Sequence, residues 1–362
     1  MKNVSKDVSF GQAISLVEAA SLVQHCGEDV TFIFQGEMGI GKSYMLYELG
    51  KRMPQYTCMY AEMPTFDVSD MSGVPFTETT NGVKVTRFAP NAMLNIQGAN
   101  PVLFMADEVG KAMRPVQNSV LRLLHEKKVG EYSLPEGSIV FGTTNLSAEG
   151  LGDHVQSHAQ NRVSFITVRK PNAEEWLPWA ADNGIHPVIS SWVKKFPMCL
   201  ASYTDGDGNP YIYYPHKTAR AFVTPRSLHK ASHILHKRKH ISDNAAYAAI
   251  AGCVGESAAR DIMSFAQVDD RLPAWETIVA NPKTAPVPEP EDFAALFITV
   301  FSAIMLVEAK TFDAWLEYCE RLPKEYQGVF ALNIVTTNKR TIAHNNRSFV
   351  KWATANEWMF GA

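Results

Sequence analysis

The segment GEMGIGKS at residues 36–43 has the residue types and spacing of a phosphate-binding loop. Its glycines allow successive backbone N–H groups to turn inward around an oxyanion, while Lys42 can reach the β- and γ-phosphates and Ser43 can offer its hydroxyl to Mg²⁺. We therefore predict that this loop binds a nucleoside triphosphate. The predicted nucleotide-binding residues are Gly36, Glu37, Met38, Gly39, Ile40, Gly41, Lys42, Ser43 and Tyr44.

The segments on either side of the loop are those that phosphate binding requires. VTFIF at 30–34 is typical of a short buried strand, and YMLYELGKRM at 44–53 has a helical pattern that ends before Pro54. A chance glycine turn would need neither a strand before it nor a helix after it. The context therefore favours phosphate binding.

Two carboxylates follow another apolar run, in VLFMADE at 102–108. Asp107 and Glu108 should lie at the carboxyl edge of a strand, where ligands bind in open α/β sheets. There Asp107 would hold Mg²⁺ through water, and Glu108 would orient and polarise the attacking water. An acidic pair can also be a solvated turn, but its position downstream of a phosphate loop favours catalysis.

The next apolar run ends in GTTN, which places Asn145 beside the expected γ-phosphate position. A side-chain amide at that point can hold the lytic water. Taken alone, the same asparagine would be interpreted as a turn residue.

Alternation of strand-like runs with helical or loop segments predicts an α/β fold with a five-stranded parallel sheet between helices. The strand-like runs are 30–34, 57–62, 102–106, 138–143 and 163–168. After Pro171 the segments have helical length: 174–183, 186–195, 226–239 and 244–267. Since proline-rich 281–292 is typical of a linker, we predict an αβα nucleotide-binding domain at 1–170, a helical lid at 171–270, and a linker with a C-terminal helical region at 271–362.

Two insertions in the first half have hairpin patterns. PFTETTNGVKVTRF at 75–88 has Asn81-Gly82 at its tip between β-branched residues, which strongly predicts a tight reversal. KKVGEYSLPEGSIV at 127–140 contains Gly130 and a turn at 135–137, and predicts a smaller hairpin before the fourth strand.

Composition excludes several classes of protein. The chain has 362 residues, 46% apolar and 20% charged, which is typical of a globular protein, and five scattered cysteines without zinc-ligand spacing favour a cytoplasmic protein with reduced thiols. The longest apolar run, 294–307, is too short to cross a bilayer and predicts a buried helix. A net charge of −3 weakens, without excluding, nonspecific nucleic-acid binding.

The order of phosphate loop, acidic pair and polar strand end resembles that of AAA+ ATPases, and this resemblance implies ATP and Mg²⁺ as cofactors. By the same resemblance, Arg162 in QNR, just before the fifth strand, is expected to act as an arginine finger in a neighbouring subunit. Arg226 in VTPRSLHKAS resembles the sensor-2 arginine of the lid. Alternatively, Arg162 forms a surface ion pair and Arg226 starts a helix without a ligand.

Within that superfamily the chain resembles the MoxR-like branch, including the CbbQ type. The resemblance rests on GIGKS, DVSDMSGVPF at 67–76, the two hairpins, TTN and TPRS, and it covers residues 30–245, with looser likeness beyond. DEVGK at 107–111 departs from the DEINR frequent in the family, which leaves the role of Lys111 open. The resemblance further implies a ring oligomer, a hexamer, and an adaptor with a von Willebrand factor A domain.

These observations support the hypothesis of a cytoplasmic, Mg²⁺-dependent ATP hydrolase that works as a ring and remodels a protein partner in a chaperone-like way. The main alternative is a nucleic-acid motor or a replication or packaging ATPase, in which Lys127 and Lys128 of the second hairpin would face phosphates. A third alternative, a nucleotide-gated structural ring with little turnover, is disfavoured because Glu108 is intact.

Overall fold

A computed structural model of the chain describes residues 12–94, 98–130, 132–146 and 162–357. The chain divides into two compact units, of which the first ends at Lys170 and the second begins at Pro171. No helix in the described ranges is long and apolar enough to cross a membrane.

The first unit combines strands with a few helices. Its strands are β1 (Phe32–Gln35), β2 (Thr57–Glu62), β3 (Val74–Thr80), β4 (Val83–Ala89), β5 (Val102–Asp107), β6 (Lys128–Val129), β7 (Tyr132–Ser133), β8 (Ile139–Thr144) and β9 (Ser164–Thr167). Its α-helices are α1 (Leu16–Cys26), α2 (Tyr44–Arg52), α3 (Val68–Ser72) and α4 (Arg114–Glu126). Short 3₁₀ turns occupy Met63–Thr65, Ala92–Leu94 and Val109–Lys111.

The central sheet has the order β2-β5-β8-β1-β9, and all of its pairs are parallel. All five strands predicted from the apolar runs form, and the predicted α/β class is confirmed. Numbered among these five alone, the order is 2-3-4-1-5, which is that of the AAA+ P-loop core. Every residue of β5 and β8 is buried, because helices cover both faces of the sheet.

Apolar side chains pack on both faces of this sheet. One cluster combines Phe104 and Val140 of the sheet with Val120 and Leu124 of α4. The other combines sheet residues with α1 and α2: Phe34, Met105, Phe141, Val23 and Leu49. The carboxyl ends of β1, β5 and β8 are therefore fixed relative to one another by packing on both sides.

Both predicted hairpins are present. β3 and β4 pair antiparallel from Val74↔Ala89 to Thr80↔Val83, and Asn81 and Gly82 have φ angles of 53° and 78°, as a two-residue type I′ turn requires. All of β3 is exposed. The smaller hairpin pairs β6 with β7, and its reversal lies at Gly130, before the 135–137 turn. Tyr132 of this hairpin donates a hydrogen bond to the carbonyl of Phe88 at 2.8 Å.

The second unit is helical in the described residues. Its α-helices are α5 (Ala173–Asp182), α6 (Pro187–Lys195), α7 (Pro225–Lys237), α8 (Asp243–Val254), α9 (Glu256–Asp269), α10 (Trp275–Ala280), α11 (Phe293–Leu306), α12 (Phe312–Cys319), α13 (Lys324–Ile334), α14 (Arg340–Asn345) and α15 (Arg347–Ala355). Further 3₁₀ turns occupy Pro197–Leu200 and Arg238–His240.

One hydrophobic core joins helices on both sides of the predicted domain boundary at 270/271, among them α6, α9, α11 and α13. The division into a lid and a C-terminal region stays a prediction. The apolar run at 294–307 forms α11 and is buried as predicted, and the end of the predicted C-terminal region, from residue 358, lies outside the described residues. No helix occupies the described stretch 281–292, and its assignment as a linker stays a prediction.

The prediction of one helix over 244–267 was wrong, because α8 and α9 are separated by Gly255. Gly255 has φ 87°, a conformation in which a helix cannot continue. A Cβ atom at this position would lie 2.9 Å from the carbonyl oxygen of Ala221, so the close approach of that backbone also requires glycine.

Candidate nucleotide-binding site

The phosphate loop lies between β1 and α2, as the sequence predicts. Gly39 and Gly41 have φ angles of 72° and 112°, which L side chains rarely adopt. A Cβ atom on Gly36 would lie 2.6 Å from the carbonyl oxygen of Val168, so this glycine is needed for packing against the neighbouring chain segment. Ile40 is buried in the core beneath the loop, and Tyr44 is the first residue of α2.

Lys42 is held by oxygen atoms on three sides. Its Nζ donates to the carbonyls of Gly36 at 2.6 Å and Glu37 at 2.8 Å, and to Oδ1 of Asn145 at 2.8 Å. Lys42 and Asn145 are both buried. The structure thus brings together two residues that are 103 positions apart in the sequence and that were both predicted to face the γ-phosphate.

Asp107 ends β5 and accepts hydrogen bonds on both carboxylate oxygens. Oδ2 accepts from the Ser43 hydroxyl at 2.7 Å and from the Tyr60 hydroxyl at 2.8 Å. Oδ1 accepts from the Thr143 hydroxyl and from the backbone N–H of Glu108, the latter at 3.1 Å. Asp107 itself is buried, so these donors replace water around its charge.

Ser43 and Asp107 supply a pair of oxygen groups suited to Mg²⁺. Carboxylate and hydroxyl oxygens are the hard donors that Mg²⁺ prefers, and a protein usually holds this ion with one or two such groups together with substrate phosphates. Both groups lie at the carboxyl edge of the sheet and contact each other directly. The donor set therefore fits the predicted metal.

Glu108 follows Asp107 in the left-handed conformation, with φ 55° and ψ 41°. Its Oε1 accepts from the Lys111 ammonium at 2.8 Å, and both side chains are partly exposed. The proposed water-orienting carboxylate is therefore already paired with a cation. The sequence comparison with DEINR left the role of Lys111 open, and this contact shows that Lys111 pairs with Glu108.

Tyr60 and Thr143 were missed by the sequence analysis. Tyr60 lies on β2 opposite Met105, and Thr143 lies on β8 two residues before Asn145. Partial burial and the hydrogen bond to the Asp107 carboxylate raise the pKa of Tyr60 further above its usual range, and the protonated phenol donates to Asp107. The hydroxyl in GTTN was the available signal for Thr143, whereas nothing in the sequence near Tyr60 pointed to Asp107.

A buried ion pair joins Glu37 of the phosphate loop to Lys170, the last residue of the first unit. Lys170 Nζ lies 2.8 Å from Glu37 Oε2, and the two side chains are only 4% and 9% exposed. Glu37 was predicted as a nucleotide-binding residue only through its place in the loop. Its side chain instead points to the lysine that follows β9.

The two predicted arginines belong to different units of the chain. Arg162 is exposed in the turn that precedes β9. Arg226 belongs to the second unit, where it is exposed in the first turn of α7 behind a capping box formed by Thr224 and Ser227. The roles assigned to both arginines therefore stay predictions.

Solved structures that match the chain include NtrX from Brucella abortus in complex with ATP, at 13% identity over 95% of this chain and 68% of that chain, with a TM-score of 0.34. NtrX with ADP gives 12% identity over 94% and 68%, with a TM-score of 0.34. A protein from Cytophaga hutchinsonii gives 13% identity over 67% and 82%, with a TM-score of 0.31. No protein-family model and no curated protein matches the chain.

Proposed function

We propose that the chain is a MoxR-like AAA+ ATPase that binds ATP with Mg²⁺ and hydrolyses it. The observation that carries this proposal is the convergence of Lys42, Ser43, Asp107 and Asn145 at one edge of the sheet, through direct side-chain contacts. Phosphoryl transfer needs a phosphate loop, a metal-binding pair and a polar group beside the γ-phosphate, and all three lie together at this edge.

Each side chain has a defined task in this proposal. Lys42 gives up its carbonyl contacts to bind the β- and γ-phosphates, and Asn145 and Glu108 orient water for in-line attack. Ser43 and Asp107 would hold Mg²⁺, which would neutralise charge on the phosphates. The chain contributes mainly position and charge, since phosphoryl transfer requires little covalent help from a protein.

The proposal includes assembly into a ring, a hexamer, that remodels a protein partner. Its support is the exposed Arg162 in the turn that precedes β9, from which a guanidinium could reach a neighbouring copy. Arg226 would bind phosphate from the helical unit. An adaptor with a von Willebrand factor A domain and a cytoplasmic location belong to the proposal through the resemblance alone.

The test compares two substitutions that should fail differently. Glu108→Gln should bind ATP with near-normal affinity and hydrolyse it about a hundredfold more slowly or worse, because water orientation is lost while phosphate contacts stay. Lys42→Ala should lose ATP binding in an equilibrium titration. Glu126→Gln is a matched control, since Glu126 is exposed in α4 and paired with Arg122 at 3.0 Å. Full turnover in Glu108→Gln, or unchanged affinity in Lys42→Ala, would contradict the proposal.

The nucleic-acid alternative loses part of its basis. Lys127, which it requires to face phosphate, donates to the carbonyl oxygen of Glu28 at 2.6 Å. Lys128 is exposed in β6. Stimulation of the ATPase by single- or double-stranded DNA, with binding that weakens steeply as salt is raised, would favour this alternative over a protein partner.

A further inference from the structure

The Asp107 carboxylate already accepts as many hydrogen bonds as it can. A carboxylate offers about four lone-pair positions, two on each oxygen. Here Ser43 and Tyr60 occupy those of Oδ2, at 2.7 and 2.8 Å. Thr143 and the backbone N–H of Glu108 occupy those of Oδ1. A further donor can reach Asp107 only by taking the place of one of these four.

Three of the four donors are fixed by the fold. Thr143 is fully buried in β8, and the Glu108 N–H belongs to the backbone next to Asp107. Ser43 is held at the end of the phosphate loop, and its oxygen can bind a metal through a lone pair while its proton stays on Asp107. None of these three donors needs to move when a metal binds.

Tyr60 differs from the other donors in exposure and in reach. Its side chain extends from β2, the edge strand of the sheet beside β5, and the residue is 46% exposed. A phenol that is half in solvent can exchange a carboxylate partner for water with little penalty, whereas a buried hydroxyl cannot. Tyr60 is therefore the donor that can leave.

We propose that the Tyr60 hydroxyl occupies the position on Asp107 Oδ2 that a Mg²⁺-bound water takes, so that Mg²⁺–nucleotide binding displaces Tyr60. Tyr60 thereby sets the Mg²⁺ affinity of the site. The inference rests on the proposed function, because it assumes that Asp107 holds Mg²⁺ through water. It assigns to Tyr60 a role opposite to that of an ordinary supporting residue, whose loss weakens metal binding.

The proposal is testable because it predicts that loss of the Tyr60 hydroxyl strengthens metal binding, whereas loss of a supporting residue weakens it. Removing the hydroxyl removes a competitor, so Tyr60→Phe should bind the metal more tightly. The expected size is about tenfold in metal affinity, which corresponds to the free energy of one hydrogen bond to a charged group after the freed phenol has bonded to water. A variant that merely disturbed the fold would lose affinity and could not gain it.

The experiment measures the affinity of the full chain for a fluorescent, non-hydrolysable ATP analogue with Mg²⁺ and with EDTA. The ratio of the two affinities isolates the contribution of the metal. For Tyr60→Phe we expect this ratio to rise about tenfold while the affinity in EDTA stays unchanged. Tyr60→Leu, which also lacks the hydroxyl, should show the same rise. Tyr56→Phe is the matched control, since the Tyr56 hydroxyl donates to Glu28 Oε1 at 2.8 Å, and its ratio should not change.

An unchanged or lower ratio in both Tyr60 variants would overturn the proposal. An equal rise in Tyr56→Phe would also overturn it, because the effect would then not depend on Asp107. If the wild-type chain binds no nucleotide with or without Mg²⁺, the proposed function fails and this proposal with it. If Mg²⁺ strengthens nucleotide binding to the wild type and the Tyr60 variants show the wild-type affinity ratio, only the role of Tyr60 is refuted.

Discussion

Replacing Lys170 with methionine should strongly destabilise the first unit. The substitution keeps an unbranched side chain of similar length and removes the ammonium that lies 2.8 Å from Glu37 Oε2. Because the Glu37 side chain is only 9% exposed, water cannot replace the lost partner. The variant leaves a carboxylate without its buried cation inside the phosphate loop.

The size of the effect follows from burial. Removing one partner of a buried ion pair typically costs about 3–5 kcal/mol, because the remaining charge stays desolvated. For a unit of this size, each kcal/mol lowers the melting temperature by about 2–4 °C, so the expected shift is roughly 10 °C. Exchanging Glu37 for glutamine as well should restore part of the loss, because no unpaired charge remains.

Differential scanning calorimetry of the full chain is the suitable measurement, since two compact units can unfold in separate transitions. The matched control is Lys51→Met, which breaks the Lys51–Glu48 pair at 3.2 Å, where the side chains are 53% and 31% exposed. This control should leave the transition unchanged. A Lys170→Met protein that melts like wild type, or a double variant less stable than Lys170→Met, would refute the reasoning.

Three further predictions concern the hairpin, the ring and the helical unit. Deleting 77–86 should abolish partner-stimulated ATPase activity and leave the melting temperature and the basal ATPase activity intact, because β3 and β4 pair only with each other in the described structure. Loss of basal activity would instead show that the hairpin is structural. Rings of Arg162→Ala should bind nucleotide but hydrolyse it poorly. Mixing them with Glu108→Gln rings should restore some ATPase activity, because some mixed interfaces pair an intact arginine with an intact glutamate. No recovery despite demonstrated subunit exchange would refute the role of Arg162 in a neighbouring site. Burial, together with the neighbouring His236 and Arg238, lowers the pKa of His186 to about 4. The unfolded state therefore binds more protons, and the free energy of unfolding should fall by about 3 kcal/mol as pH drops from 6.5 to 4. Denaturant unfolding at several pH values should show this loss, and His186→Asn, which keeps a capping acceptor for the Val188 N–H, should remove it.

The sheet was predictable because its strands are short apolar runs. β5 and β8 are buried on every residue, and their polar residues come only at their carboxyl ends. Because the two strands are parallel, these ends place Asp107 and Asn145 at one edge of the sheet. The contact between Lys42 and Asn145 follows from that geometry. Strand direction alone predicts the shared edge, and the pairing of β1 with β8 brings Lys42 and Asn145 into contact there.

The remaining contacts depend on which strands are neighbours. Tyr60 reaches Asp107 because β2 lies beside β5, with Glu62 opposite Asp107 in register. Lys170 reaches Glu37 because β9 lies beside β1. Neither strand pairing can be predicted from the residues of the strands themselves. The break at Gly255 was missed for a similar reason, since the carbonyl of Ala221 that excludes a side chain comes from a distant segment.

The pairing of Glu108 with Lys111 shows how a local turn can decide the arrangement of a proposed catalytic group. Residues 109–111 form a 3₁₀ turn, in which side chains three positions apart lie one above the other. Lys111 therefore projects back over Glu108 and contacts its Oε1 at 2.8 Å. The turn follows Glu108 at φ 55°, a backbone conformation that the residue types in this segment do not predict. An arginine at position 111, as in DEINR, would carry the same charge on a planar group with different reach, so the lysine sets a different resting position for the carboxylate that is proposed to orient water.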